Sequence, residues 1–485
     1  MGPARLLRAA SGLVVALGVV GVAACHVDAL PGEGERVFAG ATLVDGTGAD
    51  AVEDAVLHVA DGEVVCAGTE ADCPVPEGVE VEDLGGRWVV PGLVDAHVHF
   101  AQTGWADGRP DGFDVTDDHP YDEVIARQLR DADVTQRSYL CAGVTAVFDV
   151  GGFPWTLGLR APQAVGGTEM ASPHVAATGP LLTWVEPRLS LPAEQSMVQV
   201  EEPDEGRDAV AYVDAFGADA AKVWFLGAPE DRQEALDETV EAMGEEAEER
   251  GTPFAVHATT LREAEVAVEA GADVLVHSVS DEVVSEAFLE GAAEAGTIYV
   301  PTLLVSENWG ELTNHAALGE APELDDPLGC VDPGTRERIA STGEYRDHPA
   351  AQGVDEDDVA QRRAAAAEVR ELMAENLRRV HEAGVEVAAG TDAGNPLTVH
   401  GASIHPELMA MQDAGLEPEE VLVMATRNGA RAMGREDRIG TLEPGKSADF
   451  LVLEASPLED VGNLRELSHV ARAGRLVAQE ELSFR

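Results

Sequence analysis

The sequence predicts an α/β protein built on a (β/α)8 TIM barrel, and three observations carry that expectation. Chemistry-bearing side chains (His97 and His99, Lys222, His257, His277, Asp392) close short apolar, β-branched runs that each lead into a loop or a helix-like segment. Ligand-type residues at the C-terminal ends of successive strands are the sequence appearance of a barrel site. Between the runs lie helical patterns such as EALDETVEAMGEEAEERG and LREAEVAVEAGAD, each stopped by a glycine ahead of the next run, the usual helix terminator. The chain has 485 residues, enough for a barrel of about 250 residues or more with a small accessory domain.

The runs give eight strands in order: Val89–His99, Ala146–Gly151, Val175–Thr178, Ala220–Phe225, Phe254–His257, Val274–His277, Ile298–Leu304 and Val385–Thr391. Residues 91–435 then form the barrel. In residues 35–90 the pattern changes to short alternating strands with Gly and Asp turns (VFAGATLVDGTG, AVLHVADGEVVCAG), and residues 436–485 read alike (SADFLVLEASP, HVARAGRLVA). Neither end is long enough to bury a sheet alone. The stretch from about 307 to 358, rich in Gly, Pro and acids and holding Trp309 and Cys330, reads as an irregular insertion after the seventh strand. A loop of that length is uncommon unless functional, so a lid or substrate-shaping role is expected, with an oligomer contact as the competing reading. DDVAQRRAAAAEVRELMAENLRRVHEAG is the helix into the eighth strand, and His381 within it reads as a packing residue.

Within PGLVDAHVHF, His97 and His99 are two residues apart, so on a strand both imidazoles face one side and make half of a metal site. Alone, the pair is unspecific; the partners at later strand ends give it weight. Lysine occurs only at 222 and 446, arginine supplying every other basic residue. A lysine kept at a barrel strand therefore points to chemistry that arginine cannot perform. The formal net charge of -58 repels nucleic acid and anionic lipid and excludes a basic partner surface. Acid runs such as EEAEER read as solvated helix faces.

PGLVDAHVHF, GTDAGNP and the tail ATRNGARAMGREDRIGTLEPGKSADFLVLEASPL together resemble the amidohydrolase superfamily, in its branch related to imidazolonepropionase and to Xaa-Arg and Xaa-Pro dipeptidases. The resemblance runs from about Val37 to about Val477. It implies a composite β-sandwich built from both termini, with the barrel inserted between them. It also implies two divalent metals, zinc suiting the donor set: His97, His99 and Asp392 on the first, His257 and His277 on the second, and a carbamylated Lys222 bridging them. Asp392 would also be the catalytic acid–base for hydrolysis of an amide or cyclic amide of a small-molecule or dipeptide substrate. Asp149 and His400, beside strand ends, would orient ligands or touch substrate, structural roles being the alternative. An unmodified Lys222 paired with an acid, a one-metal enzyme of the imidazolonepropionase kind and a non-catalytic metal- or ligand-binding lipoprotein remain as alternatives. Lys222 argues against the one-metal kind, whose members lack that lysine. His174 stands where relatives often have arginine, which puts carry-over of substrate preference in doubt.

Arg5 and Arg8 precede an apolar stretch from Leu13 to Ala24 ending in Val-Ala-Ala-Cys25. Basic residues, a short apolar core and small residues before a cut describe an export signal, too short to span a bilayer. The ending resembles a lipobox, which would make Cys25 a lipid anchor and the membrane contact; an ordinary signal peptide is the alternative. In an exported chain Cys66 and Cys73 could close a small disulfide, Cys141 reads as a buried thiol, and no CxxC spacing suggests a structural zinc.

Overall fold

The computed structural model describes residues 34–485 except 166, 167, 169, 186–195 and 228. The export signal and Cys25 lie outside the described residues. Strands from both ends of the chain share one sheet. Its order is Arg475–Ala478, Leu467–Arg472, Phe450–Leu453, Trp88–Pro91, Glu35–Leu43, Val52–Ala60 and Glu63–Gly68, with Val81–Asp83 added beside Glu35–Leu43. Alternation buries Phe38, Leu57, Val89, Phe450 and Val452 in a cluster common to both ends. Phe38 and Phe450 meet edge to face with ring centroids 5.0 Å apart.

The site-bearing strands are all parallel and lie in two sheets. Leu93–Val98, Val144–Asp149 and His174–Ala177 form one. Met197–Gln199, Leu181–Thr183, Ala221–Trp224, Phe254–His257, Val274–Val276, Ile298–Val300 and Glu386–Val387 form the other. Backbone hydrogen bonds join the sheets in two places: Ala96 N–H to Ala389 O and Asp392 N–H to His97 O at 2.9 and 2.7 Å, and, just before Ala221–Trp224, Asp219 N–H to Ala177 O at 2.9 Å. Parallel strands buried on both faces explain why these runs are apolar throughout rather than alternating.

Several expectations are corrected. The first strand is two: Trp88–Pro91 pairs in the terminal sheet and Leu93–Val98 in the parallel one. The chain crosses between them at Gly92, where a Cβ would lie 2.1 Å from Thr145 Oγ1. The seventh and eighth strands are much shorter than expected, because beyond Val300 and Val387 the backbone turns to carry site residues. Leu181–Thr183 and Met197–Gln199 add a strand pair that the sequence pattern did not separate. Residues 307–358 are not an irregular loop. They hold part of the helix Val305–Leu318, the helix Pro333–Ala340 and the 3-10 turn Thr342–Tyr345. Leu312, Ala316, Val331 and Ile339 bury themselves with Trp105 and Phe113 in a cluster of their own. Asp326 fastens the segment by accepting from Cys330 N–H and Val331 N–H at 2.8 and 3.0 Å.

Cys66 and Cys73 are disulfide-bonded as expected. Cys141 is buried but is not a thiol: it is bonded to Cys330 across 189 residues of sequence. The insertion packs on the helix Ala132–Cys141, and sequence spacing gave no sign of that contact.

Candidate metal centre

His97 lies within the strand Leu93–Val98, and His99 follows one residue after its end. His257 ends its strand, His277 is one residue past Val274–Val276, and Asp392 lies in the turn after Glu386–Val387. Lys222 is the second residue of Ala221–Trp224 and not its end, a correction to the expected placement. Alternation puts it on the same strand face as Trp224, and both line the cavity.

The structure brings all six residues to one cavity of about 380 Å³, whose wall also includes Arg109, Met197, Trp224, Trp309 and Asn395. Donor atoms of His97, His277 and Asp392 all lie within 4.8 Å of one another, and all three residues are buried. His97 Nε2 is 3.3 Å and His99 Nε2 3.0 Å from Asp392 Oδ1. Neither approach has hydrogen-bonding geometry: Asp392 Oδ1 and both His97 ring nitrogens are buried without a hydrogen bond. Unsatisfied buried polar atoms are costly, and Asp392 Oδ1 with one ring nitrogen of His97, in reach of a donor atom of His277, fits a bound cation. The rings of His97 and His277, and of His277 and His257, have centroids 4.9 and 4.3 Å apart.

Burial holds His97, His257 and His277 well below the ordinary histidine range, with the charge of Lys222 adding to the effect. They are therefore neutral, the form that ligates metal. Burial also brings Lys222 down to about 7, against the charge of Asp392. Lys222 is 2 % exposed and has no salt-bridging acid among the described residues, so the alternative of an acid-paired ammonium finds no partner there.

Neighbouring groups aim the ligands. His99 Nδ1–H donates to Gly151 O at 2.7 Å and His277 Nδ1–H to Thr302 Oγ1 at 2.8 Å, leaving each Nε2 free to face the cavity. Asp149 accepts from Phe100 N–H and Gly151 N–H at 3.2 Å, and burial, opposed by His99, pushes it up to about 6. His400 Nε2–H donates to His99 O at 3.1 Å, and burial brings it down to about 4. Both therefore brace the backbone around His99, and neither lines the cavity. His174 begins its strand and bonds Asp449 at 2.8 Å, away from the cavity. His381 bonds Glu420 at 3.0 Å on the outer helix.

The sequence reading missed the wall. The guanidinium of Arg109 is 4.7 Å from the Trp309 ring centroid and bonds Asp111 and Asn395. Trp309 Nε1–H also donates to Asn395 Oδ1 at 3.2 Å. Asn395 was visible in GTDAGNP, where it follows Asp392 by three residues. Arg109 carried no local signal, whereas Trp309 lay in the stretch 307–358 for which a lid or substrate-shaping role was expected, and it lines the cavity.

Residues 88–477 match the Amidohydrolase family. An imidazolonepropionase of Rhizorhabdus wittichii is 26% identical over 436 residues, covering 84% of this chain and 90% of that protein. One of Deinococcus deserti is 28% identical over 419 residues, covering 84% and 88%. Among solved structures, a Xaa-Pro dipeptidase with bound methionine in the active site has a TM-score of 0.65 at 23% identity, covering 92% of this chain and 100% of that one. The ochratoxinase of A. niger has 0.64 at 19% identity, covering 91% and 95%. With the matched region spanning nearly the whole described chain, the protein belongs to the amidohydrolase family and is a hydrolase of carbon–nitrogen bonds.

Proposed function

We propose that the protein is a metal-dependent hydrolase cleaving the amide bond of a small peptide-like or cyclic amide substrate, and that its two parallel sheets are one (β/α)8 barrel. The observation that carries the chemistry is the convergence of buried donor atoms of His97, His277 and Asp392 in a cavity, where Asp392 Oδ1 and the ring nitrogens of His97 have no hydrogen-bond partner. A zinc-like cation held there supplies Lewis acidity and lowers the pKa of water. Asp392 then accepts the proton of the attacking water and returns it to the leaving nitrogen. Trp224, Met197 and Leu226 suit an apolar substrate group, and Arg109 suits a carboxylate. His99 completes the first ligand set; His257 and a carbamylated Lys222 extend it to a second metal. Carbamylation is consistent with the burial of Lys222 among imidazoles and with its lack of an acid partner among the described residues.

One observation favours a second reading with a single metal: among the described residues, one group of three donors meets within 4.8 Å. Metal analysis separates the two. Protein prepared with bicarbonate and zinc is expected to hold two metals per chain, and Lys222→Ala one. A wild-type content of one, unchanged in the variant, rejects the bridged pair. Hydrolysis of free and blocked dipeptides, cyclic amides and lactones tests the substrate class, and no turnover of any of them by metal-loaded protein rejects the peptide-like and cyclic amide reading. The composite sandwich at the termini, export, the lipid anchor at Cys25 and a homo-oligomer are further parts of the proposal. Export and the anchor rest on the first 25 residues of the sequence alone.

A further inference from the structure

Glu407 is a buried carboxylate on the helix Ile404–Asp413, outside the cavity wall. Its two oxygens accept the backbone N–H groups of Leu303 and Leu304 at 2.6 and 3.2 Å. Those amides belong to the turn after Ile298–Val300, at the entry to the helix Val305–Leu318. Immediately before them Thr302, fully buried, has φ 44, a conformation that β-branched residues adopt only when their surroundings impose it. This Thr302 accepts the Nδ1–H of His277 at 2.8 Å. The same turn holds the backbone of the histidine, through His277 N–H to Val300 O at 2.8 Å and Ser278 N–H to Pro301 O at 2.9 Å. A single carboxylate thus pins the amides that follow the one hydroxyl fixing the ring of His277. The same amides start the helix that carries Val305, Ser306 and Trp309 into the cavity wall.

We infer that Glu407 is a positioning residue for the metal centre, acting on His277 through the Thr302 turn; the inference rests on the reading of His277 as a metal ligand. A carboxylate also suits this place because the amides at a helix entry lack intrahelical acceptors. Alanine would leave both amides unpaired, that of Leu303 buried and that of Leu304 partly buried, and glutamine would supply one acceptor oxygen where two are used. Thr302 would then lose the constraint that holds its hydroxyl toward His277.

The test is zinc affinity, read by chelator competition on the full folded chain, with thermal unfolding followed alongside. Glu407→Ala and Thr302→Val are each expected to weaken zinc retention about 10–100-fold, the usual effect of removing a group that orients a ligand. Glu407→Gln should fall between wild type and alanine, and Thr302→Ser should restore wild-type affinity. Because both residues act on one ring, the double variant Glu407→Gln/Thr302→Val should lose less than the product of the two single losses. A Glu407 variant with lowered melting temperature and unchanged zinc affinity would show a role in stability alone and overturn the inference. So would fully multiplicative losses. Should Glu407→Ala fail to fold, Glu407→Gln and the two Thr302 variants decide the question. Wild-type protein that binds no zinc would overturn the metal-centre reading itself, an outcome distinct from wild type and variants binding equally.

Discussion

His277 and Asp392 sit at φ 80 and 62, a region that residues other than glycine enter at a cost of about 1–3 kcal/mol, with aspartate, asparagine and histidine the most tolerant of it. In each case the turn swings a donor atom from the end of a strand onto the common point, so the strain is tied to convergence of the ligands. Gly390 and Gly394 make room for these turns: a Cβ on the first would lie 2.9 Å from His97 Cβ, and on the second 2.5 Å from His99 O. Asparagine tolerates the left-handed region, so Asp392→Asn should fold normally while losing the ligand charge and the proton acceptor together. Turnover should fall by at least about 10²–10⁴, the share of proton transfer alone, and a variant keeping a tenth of the wild-type rate would place the base elsewhere. The six donors were legible because they lie in or just after short β-branched runs, a one-dimensional signal, although Lys222 stands inside its strand and not at the end. Arg109, Thr302 and Glu407 were not, since two loops and a helix bring them to the site only in three dimensions.

Junctions between elements escaped the sequence for the same reason. The insertion was expected to be irregular, yet its helices bury a cluster with Trp105 and Phe113, and the Cys141–Cys330 disulfide ties it to the helix Ala132–Cys141. Arg137 adds bonds to the carbonyls of Leu482 and Ser483 at 2.9 and 2.7 Å, so the C-terminal residues clasp the same region. Cys141→Ala/Cys330→Ala should therefore cost about 2–4 kcal/mol, by analogy with other disulfides closing long loops. Urea unfolding of the double variant checks this, and a midpoint equal to wild type would mark the bond as energetically idle. A second junction joins the terminal sheet to the parallel strands: buried Asp449 bonds Arg472 at 2.9 Å and His174 at 2.8 Å. Burial alone would raise this carboxyl, but Arg472 and His174 hold it well below the usual carboxylate range. A depressed folded pKa means that its stabilisation is present above about pH 4 and is lost only as pH falls through the folded value. Asp449→Asn should then destabilise the protein by about 3–5 kcal/mol at neutral pH, the cost of breaking a buried pair, and flatten its acid limb. Urea titrations across that range with parallel acid limbs would contradict the assignment.

For the molecule as a whole, 90 acidic against 32 basic residues set two electrostatic effects against each other. Most ion pairs are made by arginines on the surface, such as Arg363 with Glu311 at 2.6 Å and Arg370 with Glu307 at 2.8 Å. Each exposed pair contributes about 0–1 kcal/mol, and salt weakens it. The acids left over, a formal excess of 58, repel one another across the whole surface, which disfavours the compact state. Distance decides which effect dominates. Raising salt from about 0.01 M to about 1 M contracts the screening length from about 30 Å to about 3 Å. Repulsions acting over tens of ångströms vanish early in that range, whereas pairs in contact keep much of their attraction to its upper end. The melting temperature should therefore climb with sodium chloride, most steeply at the dilute end, while sucrose at matched osmolality should not reproduce that steep initial rise. A melting temperature that stays flat or falls with sodium chloride would mean that the surface pairs outweigh the excess charge.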